Sequence, residues 1–135
     1  MGNLADSYYW AGDRDKANAT YDRAISLALK ALQVDPRNAE EMGNLAMHYA
    51  TKGDLKTAKR YIQRARAIAP NLPDLAYNEA VVHTRAGELN EAMACLREAF
   101  SKGHPVAQAK NDPELNVLAG QPEFQQLVAQ YSKQK

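Results

Sequence analysis

The chain has 135 residues, of which 45% are hydrophobic and 24% charged, and its formal net charge at pH 7 is +1. This length predicts one domain, over residues 1–135, with a core that needs neither disulfides nor metal. The balanced charge excludes the basic excess typical of nucleic-acid binding proteins. No apolar stretch approaches the ~20 residues of a membrane span, and the single cysteine, Cys95, cannot form an internal disulfide.

In chain order, helices are predicted from apolar spacing and from end signals. Glycine tolerates the left-handed backbone that ends a helix, an acidic residue suits the next N-terminus, and proline breaks a helix. These signals recur at Gly12-Asp13, Pro36, Gly53-Asp54, Pro70 and Gly87-Glu88. The predicted helices cover about 3–11, 13–34, 38–51, 54–68, 73–86 and 88–102.

The sequence contains an internal repeat, a feature that determines how the whole fold is interpreted. A shift of 34 residues places Asn44 on Asn78 and Ala46 on Ala80, and a shift of 41 places Asn3 on Asn44. The first unit therefore carries seven extra residues, close to two helical turns. They should lengthen its second helix while nearly keeping the apolar face in phase.

The spacing of small and large residues is what identifies the repeat. Unit two has a large–small pair, an aromatic residue, a glycine, two alanines around an aliphatic residue, and a proline, at Leu45-Ala46, Tyr49, Gly53, Ala58, Ile62, Ala65 and Pro70. This pattern resembles the tetratricopeptide repeat (TPR) family over about residues 2–104. The resemblance implies an all-α fold, an α-α superhelix of three helical hairpins (units about 2–37, 38–71 and 72–104), the first with an elongated second helix. Unit three departs from the pattern at Glu79 and His83, where larger apolar residues are usual.

Residues 105–135 do not fit the repeat. Asp112-Pro113 and Gln121-Pro122 each read as a helix cap followed by proline in the first turn. We predict a short helix at about 112–119 and a longer one at about 121–133, which together form a C-terminal helical cap over the last apolar face. The arrangement resembles the closure found after repeats in bacterial multidomain proteins. Because the first repeat begins inside its first helix, the chain is expected to be the C-terminal part of a larger bacterial protein.

The family binds partners in a concave groove lined by the first helix of each unit. Carried over by register, the resemblance implies groove residues Asn3, Tyr9, Trp10, Asn44, Met47, Thr51, Tyr77, Asn78, Val81 and Arg85. An amide both donates and accepts, so the recurring asparagines could pair with a peptide backbone; they could equally bond neighbouring helices. Tyr9 and Trp10 are suited to anchor an interface, or pack on an upstream repeat or on the long second helix.

The expected function is a protein–protein interaction scaffold that binds a peptide or protein partner in this groove. The alternative is a structural segment that stacks on further repeats or forms a homodimer through its N-terminal face. We find no constellation for an enzyme, cofactor or metal, because His48, His83 and His104 are spread along the chain with no i, i+4 pairing, and Cys95 is interpreted as a small buried hydrophobic residue. We expect no nucleic-acid partner and no membrane insertion, and the absence of a signal peptide favours a cytoplasmic location.

Overall fold

A computed structural model describes residues 14–132, with side chains from residue 19 onward. Within this part of the chain every regular element is helical. In order they are α1 (Arg14–Val34), α2 (Ala39–Lys52), α3 (Leu55–Ile68), α4 (Pro73–Arg85), α5 (Leu89–Ser101), α6 (Val106–Lys110), a 3₁₀ turn (Pro113–Leu118) and α7 (Pro122–Ser132). The predicted helices over residues 13–102 agree with these bounds to within one residue. Helix α6 was not predicted, and the helix predicted at 3–11 lies outside the described residues.

The insertion in the first unit lengthens a helix, as its size indicated. Helix α1 has 21 residues, while α2 and α3 have 14 each. The seven-residue difference equals the insertion, so the extra sequence is absorbed as about two further helical turns instead of as a loop.

The helix ends follow the chemistry of the residues found there. The Asn38 side chain accepts a hydrogen bond from the Glu41 backbone N–H (3.1 Å), and Asp54 does the same for Thr57 (3.2 Å). Each satisfies one of the donors left open at a helix N-terminus. Gly53 adopts a left-handed φ of 96°, which lets the chain reverse between α2 and α3.

Alanines set the helix pairing. Helices α2 and α3 form one hairpin and α4 and α5 the next, and α4 also contacts both α2 and α3. The six alanines that recur in register are fully buried, each with 0% of its surface exposed: Ala46, Ala58, Ala65, Ala80, Ala92 and Ala99. Side chains this small let neighbouring helix axes approach closely, so the repeated alanines specify successive hairpins that lie side by side.

Helices α2 and α4 are in close contact at Gly43. A Cβ atom built at this position would lie 2.6 Å from Leu75 Cδ2 and 2.7 Å from Asn78 Nδ2. Leu75 is 1% exposed and has little room to move, whereas the amide of Asn78 is only half-buried. The glycine therefore serves the contact between helices at the expense of helix propensity.

We expect Gly43→Ala to destabilise the chain by about 1 kcal/mol. Helix propensity favours alanine by ~1 kcal/mol, but overpacking a tight core costs ~1–3 kcal/mol. In a Leu75→Ala background the same substitution should become stabilising, since the methyl group gains space. Urea unfolding of the native chain, the two single variants and the double variant measures the change in the free energy of unfolding in each background. A stabilising Gly43→Ala in the native background would contradict the close contact.

The C-terminal residues cover the last hairpin. Leu115, Leu118, Phe124 and Leu127 are buried in one cluster with residues of α4 and α5. The helix predicted at 112–119 is instead a 3₁₀ turn, in which the Asp112 carboxylate accepts a hydrogen bond from the Glu114 N–H (2.9 Å). The longer predicted helix is α7. Among the described helices, none combines the length and the apolar character needed to span a membrane.

Candidate partner-binding groove

The predicted groove residues that the structure describes lie on α2 and α4. On α2, Asn44 lies four residues before His48 and Met47 lies four residues before Thr51, so the four side chains form a single stripe along the helix. Asn44 is exposed, Met47 and His48 are half-buried, and Thr51 is 8% exposed. This stripe, which we call the α2 stripe, keeps three of its four side chains at least partly open to solvent.

Two of the predicted residues on α4 are covered. Tyr77 and Val81 are 1% and 0% exposed, and they lie in one buried cluster with residues of the C-terminal segment, the name used here for residues 105–118. Only a partner that displaced the C-terminal segment could reach these two side chains, which corrects the expectation that they line an open groove. Asn78 is half-buried, and its amide lies against Gly43 of α2.

Tyr77 holds the C-terminal segment through both its ring and its hydroxyl. The hydroxyl donates a hydrogen bond to Asp112 Oδ2 (2.6 Å), and the ring stacks on His104 with 4.3 Å between centroids. Burial raises the pKa of Tyr77, and the hydrogen bond to Asp112 raises it further. The phenol therefore stays protonated and remains a donor at neutral pH. His104 in turn lies with Nδ1 2.9 Å from Asp74 Oδ1.

Arg85 holds the same segment by charge. Its Nε and Nη2 donate to Glu114 Oε2 (2.5 Å) and Oε1 (3.0 Å), a two-point pairing of guanidinium and carboxylate. The Glu114 side chain is 4% exposed and that of Arg85 20% exposed. The Thr51 hydroxyl lies 3.5 Å from Glu114 Oε1, so this buried ion pair also touches the α2 stripe.

A cleft of about 540 Å³ remains open beside the C-terminal segment. One wall consists of Tyr21 of α1 and part of the α2 stripe. The other wall is the C-terminal segment itself; together the lining residues are Tyr21, Met47, His48, Thr51, Ala107, Gln108, Asn111, Asp112, Pro113 and Glu114. The cleft therefore combines apolar surface with amide and carboxylate groups, as ligand sites commonly do.

The structure brings some of the predicted residues together and leaves others untested. Met47 and Thr51 line the cleft, and Arg85 lies behind it on Glu114. Asn3, Tyr9 and Trp10 lie outside the described residues. Sequence reasoning missed Tyr21, His48, Asp112 and Glu114. For the two acidic residues a signal existed, because two carboxylates next to Pro113 can serve as partners as well as helix caps.

Cys95 sits half-buried on α5. Burial raises the pKa of its thiol to about 12, and the neighbouring Glu79 carboxylate raises it further. The thiol is therefore protonated at neutral pH, whereas a nucleophilic cysteine needs a lowered pKa.

Comparison with known proteins adds no relative. No model of a known protein family matches the chain, and no curated protein matches its sequence.

Proposed function

We propose that this chain is a tetratricopeptide-type helical-repeat module that binds an extended peptide, or an exposed segment of a protein, as a scaffold. Two consecutive hairpins with the same buried alanine positions support the repeat assignment. The cleft of about 540 Å³ between the α2 stripe and the C-terminal segment supports the binding role. The bound chain would lie along α2, with the C-terminal segment as the opposite wall.

The chemistry of the cleft suits a peptide with one apolar anchor. Met47 is flexible and polarizable, so it adapts to apolar side chains of different shape. Asn44 on the stripe, with Gln108 and Asn111 across the cleft, offers amide donors and acceptors for a peptide backbone. A wall that is already ordered by the Tyr77 and Arg85 contacts lowers the entropy lost on binding.

Selection from a displayed random-peptide library against the immobilised chain tests this proposal. Selected peptides should bind in solution by fluorescence anisotropy. Met47→Ala should weaken that binding by about fivefold or more, because truncating a central anchor costs over ~1 kcal/mol. Asn44→Ala should weaken it in the same assay through lost backbone pairing.

Asn90→Ala is the matched control. Asn90 is an exposed asparagine on α5, outside the cleft, and its loss should leave the affinity unchanged. Equal affinities for the native chain and for the Met47→Ala and Asn44→Ala variants would remove the cleft as the binding site.

A further inference from the structure

Unit three replaces an apolar contact of unit two with groups that bind metals. A shift of 34 residues places Glu79, His83 and Cys95 on Leu45, Tyr49 and Tyr61. In unit two, the Tyr49 and Tyr61 rings stack 5.9 Å apart with an interplanar angle of 2°. Leu45 is 0% exposed and packs with Ile25 and Ala28 of the preceding helix.

The three replacements converge in space. Glu79 and His83 lie four residues apart on one face of α4, and Cys95 faces them from α5. A carboxylate oxygen, an imidazole nitrogen and the thiol sulfur all lie within 4.8 Å of one another, and all three residues are half-buried. Polar groups in a position that is otherwise apolar cost free energy unless they are paired, so the substitution calls for a compensating interaction.

We propose that Glu79, His83 and Cys95 bind a zinc-like divalent transition-metal ion, with a fourth coordination position left open to water. Thiolate, imidazole and carboxylate are the three protein ligand types of zinc, and three protein ligands with one open position are a known arrangement. Bond lengths of about 2.0–2.3 Å separate tetrahedral ligand atoms by about 3–4 Å. Small side-chain rotations are therefore enough to close the site.

The surrounding hydrogen bonds orient the ligands as in metal sites. His83 Nδ1 lies 2.8 Å from Glu88 Oε1, and Glu88 Oε2 accepts from Lys59 (2.8 Å). A ligating histidine commonly donates its other ring N–H to a carboxylate in this way. Arg66 Nε lies 3.3 Å from Glu79 Oε1, which leaves Oε2 of the same carboxylate to face His83.

This orientation places two hydrogen-bond acceptors, His83 Nε2 and Glu79 Oε2, next to each other. If Nδ1–H donates to Glu88, the lone pair of His83 Nε2 faces Glu79 Oε2 at 3.3 Å. A metal ion between these two atoms would relieve the contact. Cys95 favours the metal, because a thiol beside this pair adds a third ligand. Binding transfers the thiol proton to solvent, and a divalent ion with one thiolate and one carboxylate leaves the site electrically neutral.

Cobalt titration of the metal-stripped chain tests the site. Because Cys95 is the single cysteine of the chain, a thiolate-to-cobalt charge-transfer band reports on this residue alone. We expect that band at one equivalent of Co²⁺, together with the visible bands of a tetrahedral ion, and we expect Zn²⁺ to displace them. Zn²⁺ should also slow the reaction of Cys95 with a thiol reagent in the native chain, a measurement that needs no variant.

The variants separate a site from chance binding. Cys95→Ser should abolish the charge-transfer band, and His83→Gln should abolish the visible bands of tetrahedral Co²⁺. Far-ultraviolet circular dichroism should confirm that both variants fold. Glu88→Gln should weaken binding by about 10–100-fold, as expected for a group that orients a ligand. Glu91→Gln, which alters an exposed carboxylate on α5 outside the cluster, should leave the cobalt bands unchanged.

Two results would overturn the proposal. One is the absence of a charge-transfer band in the native chain with excess Co²⁺. The other is a band that is the same in native and His83→Gln chains. Neither measurement involves a peptide, so the metal site and the partner-binding cleft succeed or fail independently.

Discussion

Replacing Arg85 with alanine should destabilise the chain by about 3–5 kcal/mol, since this removes one partner of a buried ion pair. The Glu114 carboxylate, whose side chain is 4% exposed, would lose both guanidinium hydrogen bonds. It would then remain charged without a partner, or become protonated, or leave its position and expose the core beneath the C-terminal segment. Urea unfolding followed by circular dichroism measures the loss.

A second ion pair to the C-terminal residues provides the control. Arg97 on α5 lies 3.5 Å from Glu123 on α7, with side chains 53% and 55% exposed. Arg97→Ala should cost at most ~1 kcal/mol, because solvent screens an exposed pair. The double variant Arg85→Met/Glu114→Leu should recover most of the stability lost in Arg85→Ala. Equal costs for Arg85→Ala and Arg97→Ala would show that the C-terminal segment is not held by the buried pair.

The helices were predictable because their signals are local. Apolar spacing, the caps at Asn38 and Asp54 and the glycine at position 53 each act within a few residues. The buried alanines were predictable too, because the same small residue recurs at equivalent positions in successive repeat units. These features specify which helices form and how the two helices of a hairpin pack against each other.

The sequence predicted a C-terminal cap over the last apolar face, but local patterns do not predict the contacts by which it covers α4. The hydrogen bond from Tyr77 to Asp112 spans 35 residues, and the pairing of Arg85 with Glu114 spans 29. Nothing periodic links these positions. One trace existed in the register: Gly43 of α2 corresponds to Tyr77 of α4. Gly43 lies where α4 packs closely against α2, whereas Tyr77 lies where the C-terminal segment packs against α4.

The Glu79–His83–Cys95 cluster escaped the sequence analysis for a different reason. The three histidines, His48, His83 and His104, lie far apart in the sequence, so histidine spacing alone indicates no metal site. Glu79 and His83 were noted only as departures from the apolar pattern. The departures and the ligands are the same residues, so a position where one repeat unit breaks its own rule is a better guide to a site than residue type alone.

The C-terminal segment links fold and proposed function. It completes the core of the last hairpin and also forms one wall of the cleft. A substitution that loosens it should therefore lower both stability and peptide affinity, whereas Met47→Ala should affect chiefly the affinity. Measuring both quantities for each variant separates residues that build the wall from residues that contact the guest.

The second large effect is expected at Leu118. This side chain is 0% exposed at the end of the 3₁₀ turn and packs in the cluster that joins the C-terminal segment to α4 and α5. Leu118→Ala removes buried methyl groups and leaves a cavity, so we expect a loss of about 2–5 kcal/mol in urea unfolding. Hydrogen exchange should show faster opening of α4 amides, which lie directly beneath the segment.

Val117→Ala is the matched control, one residue away in the same turn. Val117 is 57% exposed, so its truncation should change stability by no more than ~0.5 kcal/mol. A cap that is packed as an integral part of the core requires a large difference between these neighbours. If both substitutions cost the same small amount, the C-terminal segment contributes little to the core, and the cleft wall that it forms would have to be ordered by the bound peptide.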